Sequence, residues 1–364
     1  MFYSSSYERK GREGRAGRIL FTLLLLMALG AYMIFATRHM DEVPSLTRSW
    51  AVQVGSSELS DRESDRWLPF IGEEYFGYLS PRGDVLYREE ILFHVAVSEG
   101  EHVNYSRMGE SLVSKRPAED YFYRIDGDGY PVYRNGNLFL VSHDRMSIMA
   151  VGDSGERLFQ LDFPSIVTSF DTGPRFMVVG LLNGRTEVFD LSGAHLSTLQ
   201  IEDSNRPVYG VAVSANGSYM AVLWGDGPQH LSLYRNGENT MEEVARFSRE
   251  EAILWEGLLR FSRDEQLLLY ESTEGISVID IEAASQRHIR FPGSVFDLHS
   301  EGRGGPIFVA GNSEKKGFIR MYTESGRMVA QERLSTPIRH VYPYGEGFIC
   351  TSDGVAMRVE GKSL

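Results

Sequence analysis

The feature that most constrains this chain of 364 residues is a glycine turn that follows short apolar runs at intervals near 40 residues. Glycine suits such a turn because it adopts positive φ without a Cβ clash. Between the turns, runs of Val, Leu, Ile, Phe and Thr separated by Asn-Gly, Asp-Gly and Ser-Gly predict about four short strands per interval. The turn positions, with Ala284 filling the one slot that lacks glycine, are Gly100, Gly155, Gly193, Gly237, Ala284, Gly326 and Gly361.

A period near 40 residues with four strands in each unit is the pattern of a propeller blade. We therefore predict an all-β, seven-bladed β-propeller over residues 47–364, with six or eight blades as alternatives. The polar stretches 55–66 and 107–120 are predicted to be loops. A β-sandwich with accidental spacing is the competing interpretation, and seven consecutive similar units count against it. The predicted blades are 68–106, 121–163, 164–202, 206–248, 253–292, 294–335 and 336–361.

The last predicted blade is one strand short, because the sequence stops at Leu364 where earlier units continue into another strand. A candidate for the missing strand is the run 48–54, at the other end of the predicted domain. An unclosed sheet edge would leave a row of unpaired backbone donors and acceptors. We therefore expect the N-terminal strand at 47–54 to complete the last blade and close the ring.

The repeated turn followed by a strand, as at 190–196 and 324–329, resembles the WD40-like and quinoprotein-like propellers, which have seven to eight blades. The resemblance covers about 47–361. No unit carries the Gly-His and Trp-Asp signature of WD40 repeats, and the tryptophans do not recur at one blade position, as quinoprotein docking motifs would require. The resemblance implies the fold and no particular activity. The four tryptophans are Trp50, Trp67, Trp224 and Trp255.

Outside the repeats, the segment 19–36 is apolar and free of charged side chains. As a helix it would span about 27 Å, close to the hydrocarbon thickness of a bilayer, which predicts a transmembrane signal-anchor. Basic residues dominate 1–18, so the positive-inside rule makes that segment a cytoplasmic tail. Residues 37–46 are then a linker, and the propeller is extracytoplasmic, or periplasmic if the source is bacterial. The alternative is a signal peptide cleaved near Ala28-Leu29-Gly30.

Charge and cysteine content limit the partners and the stabilising chemistry. The formal net charge is −13, and an acidic surface repels phosphate backbones, so we predict no nucleic-acid partner. Ordinary solubility accounts for most of these carboxylates. The single cysteine, Cys350, cannot form an internal disulfide, and its position at the centre of a predicted strand favours a small core residue.

No motif assembles a catalytic, cofactor or metal site, so we predict no site residues and no cofactor. His299 and His340 fall in predicted first strands and could meet in the channel, but channel or core filling is the simpler interpretation. The string at 126–130, with Asp126 and Asp128 between glycines, is similar to a calcium loop. It lacks the later ligands, which favours a hairpin turn. The glycine-rich 11–17 follows no strand and predicts a solvated tail. Asn104 matches a glycosylation sequon.

These observations favour a membrane-anchored, non-catalytic scaffold that presents its loops to protein partners at the outer face of a membrane. Such a scaffold would serve envelope assembly, maintenance or signalling. The exposed loop residues Arg303 and Lys315 are candidates for partner contacts. Two alternatives remain open: a propeller that binds a small ligand such as a glycan or peptide, and a propeller enzyme with its site over the channel.

Overall fold

The computed structural model describes residues 21–32, 45–60, 64–200, 206–237 and 240–362. The chain divides into two compact units, and the second, Leu46–Ser363, contains the blades.

The first unit contains a helix over 21–32. Over the described ranges, no helix has the length and apolar character needed to cross a membrane. The prediction of a transmembrane helix over 19–36 is therefore contradicted within the described residues. The predicted tail 1–18 lies outside the described residues, as does most of the linker 37–46.

Eight antiparallel sheets follow one another along the second unit, and each is one blade of a propeller. Blade 1 consists of β2 (Leu68–Ile71), β3 (Tyr75–Leu79) and β4 (Val85–Glu90), and blade 2 of β5 (His94–Val97), β6 (His102–Tyr105), β7 (Val113–Arg116) and β8 (Tyr121–Arg124), with a 3₁₀ helix at Pro117–Glu119. Blade 3 consists of β9 (Tyr130–Arg134), β10 (Asn137–Val141), β11 (Ser147–Val151) and β12 (Arg157–Asp162). Blade 4 consists of β13 (Val167–Thr172), β14 (Phe176–Leu181), β15 (Arg185–Asp190) and β16 (His195–Gln200).

The second half of the ring continues the same meander, and its last blade takes a strand from the start of the unit. Blade 5 consists of β17 (Val208–Val213), β18 (Tyr219–Trp224), β19 (Gln229–Asn236) and β20 (Met241–Arg249), and blade 6 of β21 (Leu259–Phe261), β22 (Leu267–Ser272), β23 (Gly275–Asp280) and β24 (Ser285–Arg290). Blade 7 consists of β25 (Ser294–Ser300), β26 (Ile307–Ser313), β27 (Lys316–Tyr322) and β28 (Met328–Arg333). Blade 8 consists of β29 (His340–Pro343), β30 (Gly347–Ser352), β31 (Val355–Lys362) and β1 (Ser45–Gln53).

The propeller has eight blades, not the seven predicted. The additional blade lies within 68–124, where the sequence was interpreted as one blade over 68–106 and a loop over 107–120. The structure has β7 in the supposed loop. The next predicted blade, 121–163, begins too early because β8 completes blade 2.

The miscount comes from one misplaced turn. Gly100 lies between the first and second strands of blade 2, whereas the recurring turn lies between the third and fourth strands. In blade 2 the equivalent position is Asp120, and in the three-stranded blade 1 it is Gly83, between the last two strands; their φ values are 47° and 90°. Gly83, Asp120 and Gly155 follow one another at 37 and 35 residues, which restores the period.

The recurring turn also docks each blade on the one before it. Gly83 and Gly193 have φ of 90° and 85°. A Cβ on Gly83 would lie 2.7 Å from Trp50 in β1, and one on Gly193 would lie 2.7 Å from Phe159 in β12. Both neighbours belong to the outer strand of the preceding blade. Glycine is therefore needed for backbone conformation and for close approach, and Ala284 still adopts positive φ, 47°.

The ring closes through its N-terminal strand, as predicted. β1 lies beside β31 as the outer strand of the last blade. The backbone N–H of Val54 donates to the carbonyl of Gly354 at 2.9 Å where the two segments meet. The blade completed in this way is the eighth.

The first strands of adjacent blades run in the same direction around the channel. Ser169 Oγ accepts a hydrogen bond from Val211 N at 3.3 Å, and Asp171 Oδ2 accepts one from Val213 N at 2.9 Å, so β13 and β17 are parallel. We call the face where the first strands of blades 2 to 8 begin the front face, and the opposite one the back face. The front face carries the loops between blades and the turns between second and third strands.

Blade 1 departs from this pattern, because its first strand, β2, runs from the back face to the front. Ile71, at the end of β2, accepts a hydrogen bond from Thr351, beside the start of β29. Arg66, just before β2, lies 5.4 Å from the ring centroid of Tyr344, just after β29. The chain is therefore at the front face at Val54 and at the back face at Arg66, and blade 1 has three strands instead of four.

Apolar clusters fill most boundaries between neighbouring blades. Cys350 is 0% exposed in the cluster between blades 7 and 8, which confirms the prediction of a core residue. Burial raises the pKa of its thiol to about 12. The boundary between blades 1 and 2 is different. There, fully buried His102 packs against Phe76, with 4.7 Å between ring centroids, and lies 3.7 Å from Glu89.

Candidate functional site: the channel cavity and the front face

The central channel holds a cavity of about 930 Å³, within the size range of ligand sites. It is lined by the first strands of blades 3 to 7 and by the loops that lead into them. The cavity wall combines aromatic rings, guanidinium groups and carboxylates.

Arg134, the last residue of β9, reaches from blade 3 into the cavity. Its Nε donates to the carbonyl of Phe170 at 3.2 Å, and its guanidinium lies 5.2 Å from the centroid of the Phe170 ring. Its Nη2 is 3.8 Å from Glu256 Oε1, in the loop that leads into blade 6. Because blades 3 and 6 are not neighbours, this ion pair spans the channel. Burial lowers the pKa of Arg134.

Two aspartates beside the cavity are only partly neutralised. Asp297 Oδ1 accepts a hydrogen bond from the N–H of Leu298 at 2.8 Å and lies 3.5 Å from Arg260 Nε. Burial raises the pKa of Asp297, and the charge of Arg260 offsets part of that rise. Burial likewise raises the pKa of Asp171. Both carboxylates therefore carry a desolvation cost that their present partners do not remove.

Glu271 lies in β22 and is 8% exposed on the cavity wall. Its Oε2 accepts hydrogen bonds from Trp255 Nε1 at 3.3 Å and from the Leu258 N–H at 3.5 Å. Burial raises the pKa of Glu271. The indole of Trp255 is 54% exposed, and Phe296 on the same wall is 42% exposed. An incompletely paired carboxylate thus lies beside open aromatic surface.

Chemically, this wall can accept hydrogen bonds, hold a positive charge and pack against an apolar group. Over the described ranges, no three His, Cys, Asp or Glu side chains are grouped so that they could hold a metal ion.

A smaller cavity of about 340 Å³ lies at the back face, and Arg263 lines both cavities. Its charged side chains mostly pair with one another. Arg66 Nη2 is 2.8 Å from Glu99 Oε1, and Arg263 Nη1 is 3.3 Å from Glu301 Oε2. The ion pairs of this smaller cavity are shorter than those of the larger cavity, so its charges are better neutralised.

The front face exposes large apolar side chains, in the loops between blades or the turns between second and third strands. In the corresponding connections of the back face, Leu59 and Leu191 are exposed among the described residues. Acidic residues flank part of the front-face set, since Glu250, Glu251 and Glu256 belong to one loop. We call the exposed set the front-face patch; it consists of Leu92, Phe93, Met108, Ile166, Leu182, Leu254 and Trp255.

A family model described as "beta-propeller protein" matches residues 13–339. The chain belongs to this β-propeller family. It is similar to an uncharacterized protein of Treponema pallidum (strain Nichols), with 22% identity over 301 residues, 79% of each chain. In structure it is similar to BamB from Moraxella catarrhalis, with a TM-score of 0.59, 13% identity, and coverage of 86% of this chain and 99% of that one. The computationally designed Ika8 protein gives a TM-score of 0.56, 11% identity, and coverage of 82% and 97%. At these identities the structural likeness shows the fold alone.

His299 and His340 lie in the first strands of blades 7 and 8, as predicted, but not as a joint site. His299 Nε2 is 3.2 Å from Glu301 Oε1 and 3.1 Å from the carbonyl of Gly345, beyond the end of β29. His340 begins β29. Burial lowers the pKa of His340 to about 4. His299 therefore lies near the end of β29, whereas His340 lies at its start, so the two side chains do not meet.

The loop 126–129 of this propeller joins blades 2 and 3 and is not a hairpin within one blade. Its Asp126 N–H donates to the carbonyl of Gly155 at 2.9 Å. The sequon residue Asn104 has its side-chain nitrogen bonded to Glu89 Oε1 at 3.0 Å and to the Glu90 carbonyl at 2.8 Å. Its amide is thus committed to the boundary between blades 1 and 2.

Arg303, expected to be free for a partner, instead links two blades. Its guanidinium pairs with Asp280 and Glu282 of blade 6, each at 2.6 Å. The sequence analysis named none of the charged cavity residues. Of the front-face patch it named Trp255 alone, as a tryptophan with no fixed blade position. A usable signal was present in Leu254-Trp255-Glu256, an apolar and acidic run inside a connection.

Proposed function

We propose that this β-propeller is a non-catalytic scaffold that binds protein partners through the front-face patch. The supporting observation is the asymmetry of the two faces. Large apolar side chains concentrate in the front-face connections, where Leu254 is 63% and Leu92 is 70% exposed. A concentration of exposed large apolar side chains on one face favours an interaction site there. The recurring turns also support placing the blades with the WD40-like and quinoprotein-like propellers.

The chemistry of the patch defines the partner. Leu254 and Trp255 share their loop with Glu250, Glu251 and Glu256, and the whole chain carries a formal charge of −13. A partner surface with apolar side chains framed by Lys or Arg complements this arrangement. Complementary charge raises the association rate and disfavours acidic partners.

A location outside the cytoplasm is a separate part of the proposal. It rests on the basic residues of 1–18 ahead of the apolar segment 19–36, which is the pattern of the signal peptide considered above. The variant Ser56→Cys places a thiol at an exposed position, while the native Cys350 is buried. Reaction of this variant with a membrane-impermeant maleimide in intact cells supports the location, and labelling only after lysis contradicts it.

A small-ligand binder is the second candidate, and the channel cavity is the observation that favours it. Mass spectrometry of the purified protein under native conditions distinguishes the two. A bound small molecule retained at stoichiometric level favours the ligand binder. An enzyme with its site in the channel, the third alternative from the sequence, would require turnover of such a molecule.

The docking proposal is tested by crosslinking in intact cells and identification of the captured proteins. Leu182→Glu and Leu254→Glu place a charge in the front-face patch, whereas Leu191→Glu is the matched control on the back face, where the native leucine is 48% exposed. We expect the wild type and Leu191→Glu to capture the same partners and both patch variants to lose them. Equal capture by all four proteins, each with an unchanged melting temperature, contradicts docking on this face.

A further inference from the structure

Glu271 is a carboxylate of the channel cavity whose two oxygens differ in their hydrogen bonding. It is 8% exposed and lines the cavity. Both of its hydrogen bonds, from Trp255 and Leu258, go to Oε2. Among the described residues, none donates a hydrogen bond to its Oε1. Protein donors therefore fill half of its acceptor capacity, a deficit that a donor entering the cavity can make up.

The charges around Glu271 do not remove this deficit. Four carboxylates lie in or beside the cavity, on Asp171, Glu256, Glu271 and Asp297, against the guanidinium groups of Arg134 and Arg260. The closest ion-pair distances among them are 3.5 Å and 3.8 Å, longer than a charged hydrogen bond. Arg263 also lines the cavity, and its Nη1 is 3.3 Å from Glu301 Oε2, outside the cavity. The count is therefore four carboxylates against three guanidinium groups, one of which already has a partner outside the cavity.

Aromatic rings next to Glu271 add a second attraction for a cation. Trp255 donates its indole N–H to Glu271, and about half of its side chain is open to solvent. Phe296 presents a similarly open ring on the same wall. A cation over such a ring is attracted by the negative face of the π system. Trp255 also belongs to the front-face patch, so the cavity and the patch are continuous.

We infer that the channel cavity receives the positively charged side chain of a Lys or Arg from a protein partner docked on the front face. The ammonium or guanidinium donates to Glu271 Oε1, and its alkyl stem packs on Trp255 and Phe296. The inference rests on the proposed function for the source of the cation. The continuity of cavity and patch favours a side chain of a docked protein over a free amine.

The test uses the full-length protein and isothermal titration calorimetry with a capped peptide, acetyl-Ala-Ala-Arg-Ala-Ala-amide. The matched probe carries citrulline, a neutral isostere of arginine, in place of the arginine. We expect the citrulline peptide to bind at least about ten-fold more weakly, which corresponds to about 1.4 kcal/mol. Equal binding of the two peptides overturns the inference.

Two variants and one control locate the site. Glu271→Gln and Trp255→Ala should each weaken the arginine peptide by about ten-fold, whereas Asp128→Asn, at an exposed position of another front-face loop, should leave binding unchanged. Thermal unfolding confirms that each variant is folded. Unchanged binding by both folded variants overturns the site.

Spermidine provides the arm that distinguishes a free amine from a partner side chain. Tighter binding of spermidine than of the arginine peptide contradicts a partner's side chain as the occupant. If the arginine peptide binds at Glu271 while the front-face crosslinking experiment fails, the cation site stands and the docking proposal falls. If crosslinking succeeds and both peptides bind equally, the docking proposal stands and the cation site falls.

Discussion

The indole of Trp50 packs on the α-carbon of Gly83, so that a Cβ on Gly83 would lie 2.7 Å from Trp50 Cδ2. Trp50 belongs to β1 in blade 8, and Gly83 forms the recurring turn of blade 1. The indole N–H also donates to the carbonyl of Pro81 at 3.1 Å. The N-terminal strand therefore completes one blade and also holds the next one against it.

Truncation of this contact should destabilise the closed ring. We expect Trp50→Ala to lower the free energy of unfolding by about 2–4 kcal/mol, because it removes a partly buried indole and its hydrogen bond. Chemical denaturation followed by circular dichroism measures the change. Trp255→Ala is the matched control, since that indole is more than half exposed. A smaller loss for Trp50→Ala than for Trp255→Ala would contradict this account of closure.

The cavity carboxylate should be unfavourable to folding at neutral pH. Burial raises the folded-state pKa of Glu271 above its unfolded value, so its destabilising effect is absent below the unfolded pKa and grows as the pH rises through the folded pKa. We expect Glu271→Gln to raise the melting temperature at pH 7 and to leave it unchanged near pH 3. Glu110→Gln, at an exposed position, is the control. A lower melting temperature for Glu271→Gln at pH 7 would refute the prediction.

Glu89 should behave in the opposite way. Burial alone would raise its pKa, but hydrogen bonds from Lys115 Nζ at 2.8 Å, Tyr87 and Asn104 outweigh it and hold the pKa well below the usual range. The resulting stabilisation is present above the unfolded pKa and is lost as the pH falls toward the folded one. We expect Glu89→Gln to cost about 1–3 kcal/mol at pH 7. The difference from wild type should shrink below about pH 4, and a pH-independent difference would argue against it.

Arg303 should contribute to stability, whereas Lys315 should not. Arg303 pairs with Asp280 and Glu282 across the boundary between blades 6 and 7, so Arg303→Ala should lower the melting temperature. Lys315 lies in the turn between β26 and β27, and Lys315→Ala should leave it unchanged. Salt at 1 M should reduce the effect of Arg303→Ala, because it screens exposed ion pairs. Equal melting temperatures for both variants at low salt would show that the pairs contribute nothing.

The repeat could be recognised from the sequence where a turn position requires glycine for two reasons at once. At Gly155 and Gly193 the turn needs positive φ and close approach to the preceding blade, so glycine is retained and the period is visible. At Asp120 the backbone also has positive φ, but aspartate tolerates that conformation and leaves no glycine signal. The turn at Gly100, which joins the first and second strands of blade 2, was counted instead of the turn at Asp120, and one blade was missed.

The candidate cavity could not be predicted in the same way. Arg134, Asp171 and Arg260 come from blades 3, 4 and 6, and no sequence spacing relates them. Whether a charged residue of a first strand faces the channel depends on strand register, which the turns fix only in the folded ring. Arg303 shows the converse error, since a charged residue between glycines had the sequence pattern of a free loop.

The closure by β1 fixes when a newly made chain can first become a complete ring. β1 (Ser45–Gln53) leaves the ribosome before every other strand, and its partner β31 (Val355–Lys362) leaves after all of them. At 5–20 residues per second, the roughly 300 residues between them take about 15–60 s to translate. Throughout that interval β1 is an unpaired edge that can join a strand of another nascent chain. Synthesis rate and the spacing of ribosomes on the message therefore set the competition between ring closure and aggregation.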